Sequence, residues 1–382
     1  MSEAARARSA AGHPIINLSE GELDFDTPWN IQYSAIRAIV EGETRYTDVV
    51  GTRALLTAIK AKFARDNNLD YEWSQLIAST GAKQIIFNAF LATLEEGDEV
   101  ILTAPYWVSY PEMVRLAGAT AITIVTRRED GFKLRPADLI RAITPRTRWI
   151  VLNSPGNPSG ALYSSDELRS IADIVREHPN LMVLSDDIYE EIVFEGNFCS
   201  FAQAAPDLIG QTLTVNGVSK SFAMTGWRLG YAGGPQWLIS ALAKLQSQST
   251  SNPSSISQAA AVEALEGPKD FLDQWRDRLR VRRDRCIEIL KSAYPILKLE
   301  KPPAAFYLYA DCTDAIGRRT PGNLVITDDV DLAHYLLEFA NVATVPGSAF
   351  GMAPFLRIAF ALSDDLLDEA CHRVVEALRK LE

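Results

Sequence analysis

The chain has 382 residues, with 38 Lys and Arg against 49 Asp and Glu, 47% hydrophobic residues and a formal charge of −11, the balance of a soluble globular protein. That length suits one large domain beside a smaller one and excludes disorder or a fibrous repeat. The acidic surplus disfavours nucleic acid and anionic membrane surfaces as partners.

In chain order, the opening Met-Ser-Glu-Ala-Ala-Arg-Ala-Arg is charged and lacks the apolar core of a signal peptide, so a cytoplasmic location is expected. Residues 1–28 read as an N-terminal arm packing with the small domain. From about Pro28 to Gly234 helical and strand patterns alternate, the signature of an α/β domain with a mostly parallel sheet. Apolar spacing predicts helices at Trp29–Val40, Thr52–Ala64 and Ala82–Leu94, and short β-branched runs predict strands at Glu99–Leu102, Ala121–Thr126, Trp149–Asn153, Leu181–Ser185, Thr212–Asn216 and Leu229–Ala232. Most of these runs are nearly continuously apolar, as expected of strands covered on both faces. A long helix is predicted from Asp270 to Ala293. Strands at Phe306–Ala310, Val342–Val345 and Leu356–Ala361 follow, with helices at Val330–Phe339 and Asp364–Leu381. The expected division is a large domain over 29–275 and a small α+β domain over 276–382.

Arg276, Arg278, Arg280, Arg282, Arg283 and Arg285 alternate with Asp277, Asp284 and apolar residues, which fits a solvated helix face better than a nucleic-acid contact. The four cysteines and four histidines form no CxxC, HExxH or mixed cluster, so buried thiols and no metal are expected. No stretch of about 18 apolar residues is present to span a bilayer.

The most informative segment is Asn216-Gly-Val-Ser-Lys-Ser-Phe-Ala-Met-Thr-Gly-Trp-Arg-Leu-Gly230. Taken alone, Lys220 and Arg228 would read as two solvated cations on a surface turn. However, Asp186 and Tyr189 follow another apolar strand and Asn157 follows a third, and ligands bind at the carboxyl ends of such strands. Together with Glu20-Gly-Glu-Leu-Asp-Phe-Asp-Thr-Pro28, Pro105-Tyr-Trp-Val-Ser-Tyr-Pro-Glu-Met113, Asn157-Pro-Ser-Gly160, Asp186-Asp-Ile-Tyr189 and Phe355-Leu-Arg-Ile-Ala359, these residues resemble the fold-type I pyridoxal-phosphate aminotransferases, in particular the prokaryotic aspartate aminotransferase group. The resemblance runs from about Ile15 to the C-terminus.

The resemblance implies roles. Lys220 matches the lysine that carries the cofactor and later moves the substrate's α-proton. Asp186 matches the partner of the pyridine nitrogen, and Asn157 and Tyr189 match the donors to the ring's phenolate oxygen. Trp107 matches the aromatic residue stacked on the ring. Gly81 and Ala82 at a helix start, with Ser219 and Arg228, match phosphate ligands. Tyr46 matches a tyrosine that reaches the neighbouring subunit's phosphate, which implies a homodimer with shared active sites. Arg357 matches the clamp on the substrate α-carboxylate, the alternative being a buried arginine paired with an internal acid. Gly21 matches the glycine whose backbone approaches that carboxylate, and Trp107 and Asn157 also border the substrate. Lys83 stays open between a solvated cation, a phosphate contact and a reader of a second carboxylate.

Leu23 and Gly217 stand where relatives place proline and serine, and relatives carry a further N-terminal stretch whose Ser/Thr positions fold over the substrate. The expected activity is transfer of an amino group from an L-amino acid, aspartate or glutamate first, to a 2-oxo acid such as 2-oxoglutarate, in two half-reactions. The alternatives are an aromatic or prephenate aminotransferase, a pyridoxal-phosphate lyase or synthase on the same scaffold, and, least favoured, a non-enzymatic sensor of the cofactor.

Overall fold

Capping and spacing fix the helices locally. At Ser165–Arg176, for example, Ser164 accepts a hydrogen bond from the Glu167 amide while the Glu167 side chain returns to the Ser164 amide, and Leu168, Ile171, Ala172 and Val175 bury one face. The computed structural model describes residues 2–382. A first short strand, β1 (Ile16–Asn17), is followed by β2 (Leu76–Ser79), β3 (Glu99–Ala104), β4 (Thr120–Val125), β5 (Thr147–Asn153), β6 (Met182–Asp186), β7 (Thr212–Gly217) and β8 (Gly230–Gly233). Strands β2 to β8 form a seven-stranded sheet in the order β2-β8-β7-β6-β5-β3-β4. All its pairs are parallel except those that β8 makes with β2 and β7.

Both faces of this sheet are covered, as its apolar runs require. Along β5, Trp149 and Val151 pack with Ile85, Ile86 and Phe90 of the helix Ala82–Thr93 and with Leu238 and Leu242 of Gln236–Ser247. Ile150 and Leu152 point the other way, into Leu168, Ile171 and Val175. The edge strand β4 is the exception, with no fully buried residue.

The remaining strands are β9 (Tyr307–Asp311), β10 (Val342–Ala343), β11 (Val345–Pro346) and β12 (Phe355–Ala359). They build an antiparallel sheet β11-β12-β9 and a parallel pair of β10 with β1. The run Val342–Val345 is therefore two strands in two sheets, broken at Thr344. The helices Asp270–Leu290 and Asp364–Leu378 close a common core with Leu308, Leu356 and Ile358. The helix expected at Val330–Phe339 is α-helical over Asp329–Tyr335 and widens to a π-turn over Leu336–Ala340.

Two expectations need correction. The arginine-rich face is not uniformly solvated: Arg282 and Arg283 are buried. Arg282 donates to both oxygens of Asp24 and to Asp364, and Arg283 donates to the Pro302 carbonyl and to Asp284. The long helix packs against chain on two sides, so Arg282 lies beneath the N-terminal segment and the last helix, and Arg283 beneath Phe194, Glu195 and Pro302, rather than in water. Three of the four thiols, Cys286, Cys312 and Cys371, are buried as expected, the Cys286 and Cys371 sulfurs lying 3.3 Å apart. Cys199 is only half-buried.

Candidate active site

The parallel strands β5, β6 and β7 end on the same side, and their carboxyl ends deliver Asn153, Asp186 and the Ser219–Lys220 turn to one cavity. The cavity holds about 460 Å³. The antiparallel sheet β11-β12-β9 closes it with Tyr307 from β9 and Arg357 from β12. Gly21, Lys83, Trp107, Asn157, Tyr189, Ser219 and Arg228 also line it, so thirteen residues scattered over the sequence reduce to one spatial group with few exceptions. Gly81 meets the group through Arg228, and Tyr46, 90% exposed, lies outside the cavity.

Lys220 Nζ donates to the Gly21 carbonyl at 2.5 Å. Its pKa is lowered to about 8, by burial first, with Arg357 and Arg228 adding to the effect and Glu22 and Asp186 opposing it. Asp186 is buried at the end of β6. Burial pushes its carboxyl up to about 6, against the stabilising bond donated to Oδ2 by Tyr110 at 2.5 Å and the Ile188 amide. Asp186 Oδ1 has no hydrogen-bond partner among the described residues. The Asn153 side chain joins two strand ends, donating to the Asp186 carbonyl at 2.9 Å and accepting from the Asn157 amide at 2.8 Å. Tyr189 and Tyr307 share a bond of 2.8 Å between their hydroxyls, and both phenols are held above their usual range by burial.

Arg357 is 7% exposed and faces no carboxylate among the described residues. It donates to Asn157 Oδ1 at 3.0 Å and to the Ser19 carbonyl at 2.5 Å, with its guanidinium 4.6 Å from the Tyr307 ring centroid and 5.0 Å from that of Phe350. Burial lowers its pKa, and its Nε has no partner among the described residues. The alternative of an internal acid is thus not what the structure contains. A buried cation without a counter-charge is costly, and an anionic ligand would remove that cost.

A second positive region lies where the helix Ala82–Thr93 begins. Its N-cap, Gly81 at φ +86°, has no side-chain cap, and a Cβ there would stand 2.5 Å from the Arg228 guanidinium. Gly230 is required as well, since its Cβ would meet the Ala82 amide at 2.1 Å. Arg228 takes a left-handed φ of +54°, with its guanidinium donating to the Thr225 carbonyl at 2.8 Å; such a conformation in a non-glycine residue is a strain met at ligand sites. Exposed helix-end amides beside a guanidinium make an anion site. Lys83, exposed at the mouth, lies 4.8 Å from the Trp107 ring centroid and is pulled below its usual pKa by partial desolvation and then by Arg228.

This donor set fits pyridoxal phosphate. A phosphate suits Gly81, Ala82 and Arg228, a protonated ring nitrogen suits the unpaired Asp186 Oδ1, and an aldehyde suits a lysine that is partly neutral near pH 8. Tyr110, Tyr307 and Asn153 are the site residues that sequence reasoning missed. A signal existed for Tyr110 in its place three residues after Trp107, within the same Pro105–Met113 motif. Nothing in the pattern separated Tyr307 from its core neighbour Tyr309.

The profile of the class I and II aminotransferases matches residues 13–374. A probable aspartate/prephenate aminotransferase of Rhizobium leguminosarum bv. phaseoli is 49% identical over 98% of this chain and 94% of its own length. The aspartate/prephenate aminotransferase of Cereibacter sphaeroides is 50% identical over 97% and 92%. Among solved structures, the aspartate aminotransferase of Rhizobium meliloti superposes with a TM-score of 0.96 at 48% identity, over 100% of this chain and 95% of that one. That of Thermus thermophilus with maleate gives 0.92 at 40% identity, over 98% and 95%.

Proposed function

Since the chain belongs to the class I and II aminotransferase family and is a pyridoxal-phosphate-dependent transaminase, we propose that its amino donor is aspartate or glutamate and its acceptor a 2-oxo acid such as 2-oxoglutarate. The observation that carries this is the buried, carboxylate-free Arg357, with a second cation, Lys83, across the same cavity. Two cations suit a substrate with two carboxylates, and a relative of this fold is solved with the dicarboxylate maleate. Prephenate also carries two carboxylates, and the names of the relatives favour it as a second acceptor.

The residue roles follow as part of the same proposal. Pyridoxal phosphate, when bound, supplies a carbonyl that captures amines and a ring that accepts the electrons left by a departing α-proton. Lys220 Nζ holds the cofactor covalently, and its lowered pKa favours the neutral amine that this needs. Once displaced by the substrate's amine, the same Nζ would move the proton from the substrate α-carbon to the cofactor carbon that ends up bearing the amine. Asp186 Oδ1 holds the ring nitrogen protonated, Asn157 and Tyr189 donate to the ring oxygen, and Trp107 covers the ring face. Gly81, Ala82, Ser219 and Arg228 hold the phosphate. Arg357 clamps the α-carboxylate next to Gly21, and Lys83 reads the distal one.

The exposed apolar stripe Trp29, Tyr33, Ile36 and Val40 on one helix, leading to the exposed Tyr46, supports a homodimer in which Tyr46 serves the partner's site. We also propose an arm over 1–28, a large domain over 29–275 and a small domain over 276–382, a cytoplasmic location, and small-molecule rather than nucleic-acid partners, in keeping with the charge of −11. No helix of the described residues is long and apolar enough to cross a membrane.

The test is a donor panel on the cofactor-loaded protein. Aspartate and glutamate should convert the bound cofactor to its amine form, with 2-oxoglutarate or prephenate reversing the change. Alanine and phenylalanine should be slower by about tenfold or more, the scale of one lost charge-assisted bond. Equal rates for alanine and aspartate would overturn the dicarboxylate reading.

A further inference from the structure

We infer that Tyr110 is a positioning residue for Asp186, holding one carboxylate oxygen so that the other is presented, ionised, to the cofactor's ring nitrogen. This rests on the reading of Asp186 as the partner of that nitrogen. Tyr110 lies in the first turn of the helix Ser109–Leu116 and is 1% exposed. Its hydroxyl donates to Asp186 Oδ2 at 2.5 Å, while Oδ1 is left unpaired among the described residues and both side chains border the cavity. Its ring meets Trp107 edge-on, 5.3 Å between centroids at 86°. One side chain therefore fixes the orientation of the carboxylate and braces the ring proposed to stack on the cofactor.

The direction of the bond is set by chemistry. Burial first, and the charge of Asp186 next, drive the Tyr110 phenol well above its usual pKa, so it stays protonated and donates. The groups facing Asp186 are Tyr110 from its helix, Lys220 beyond β7, and Asp187 and Tyr189 on its own strand end. Among those that favour its ionised form, Tyr110 acts most strongly, followed by the Ile188 amide and Lys220. A hydroxyl donated to a carboxylate lowers its pKa, so losing that hydroxyl raises the pKa of Asp186 further above the ordinary carboxylate value.

The experiment measures the dissociation constant of pyridoxal phosphate from the apoprotein by fluorescence quenching, across about pH 5 to 9. Tyr110→Phe keeps the ring and removes the donor. Its affinity should fall about tenfold, and the acid side of the profile, where Asp186 protonates, should move up by about one pH unit. Replacing Tyr110 alone by 3-fluorotyrosine, a more acidic phenol and stronger donor, should move the same limb down. Opposite shifts cannot come from a packing role, and the fluorinated protein keeps the inference testable if Tyr110→Phe folds poorly. Asp186→Asn separates the two layers: it should weaken binding and abolish the acid limb. If Asp186→Asn leaves the profile unchanged, the reading of Asp186 falls and this inference with it. If Asp186→Asn acts as expected while both Tyr110 proteins follow the wild-type limb, the role given to Tyr110 alone is overturned.

Discussion

Replacing Arg357 by methionine separates a substrate clamp from a structural arginine, because the two roles predict opposite changes in stability. Arg357 donates two hydrogen bonds, to Asn157 and to the Ser19 carbonyl, and faces no acid among the described residues. Losing two such bonds costs about 2 kcal/mol. Removing a buried charge that has no counter-ion returns a desolvation penalty of several kcal/mol, and methionine fills a similar volume. The balance is near zero or stabilising, so the apoprotein should melt no lower than wild type. Turnover moves the other way: an uncompensated substrate carboxylate in that cavity costs about 3–5 kcal/mol, which is roughly a hundred- to several thousandfold in kcat/KM. Steady-state transamination of aspartate with oxaloacetate detection, alongside thermal melts of the apoproteins, reads both quantities. A clear drop in melting temperature together with kcat/KM within about threefold of wild type would refute the reasoning.

Lys83→Met should lower kcat/KM for aspartate by about tenfold or more, while leaving an aromatic donor within about threefold, since a distal carboxylate is lost only by the first; parallel losses in steady-state assays would remove Lys83 from recognition. Lys220 has a folded pKa near 8, below its ordinary 10.5. Below both values the folded state carries the burial penalty in full, and between them the unfolded state binds more protons, so stability from this group rises with pH. Lys220→Met apoprotein should therefore be more stable than wild type at neutral pH, with the difference shrinking as pH rises from about 8 to 10.5, as denaturant titrations would show. Tyr46→Phe should weaken cofactor binding by about tenfold. Mixing it with inactive Lys220→Ala protein should restore tight binding to the hybrid's one intact site; no recovery in subunit-exchange experiments would contradict a shared active site.

Where one periodicity dominated, the sequence was legible. Trp29–Val40 shows a clean helical period and matches its helix residue for residue, and the β-branched runs of β5 and β7 are strands within a residue or two. Strand β2, Leu76–Ser79, was not legible: its four residues carry no alternation, and its place is set by antiparallel pairing with β8, more than a hundred residues away. The π-turn at Leu336–Ala340 and the break at Thr344 arise from tertiary pairing in the same way. In the site, Lys220, Asp186, Asn157 and Arg357 stood out because polar residues at the ends or inside of apolar strands need a reason. Tyr110 and Tyr307 did not, because a buried tyrosine reads as core until its hydroxyl is seen to meet Asp186 or Tyr189. Arg282 was misread for the converse reason: its acids, Asp24 and Asp364, are remote in sequence and nothing local marks the pairing.

The most direct test of the central claim is to reduce the cofactor-loaded protein with borohydride, digest it and locate the added mass, with and without prior exposure to aspartate. The expected result is a phosphopyridoxyl group on Lys220 alone, lost when aspartate has first converted the bound cofactor and regained after 2-oxoglutarate. Labelling of a different lysine, or a Lys220 label indifferent to every amino donor, would contradict it.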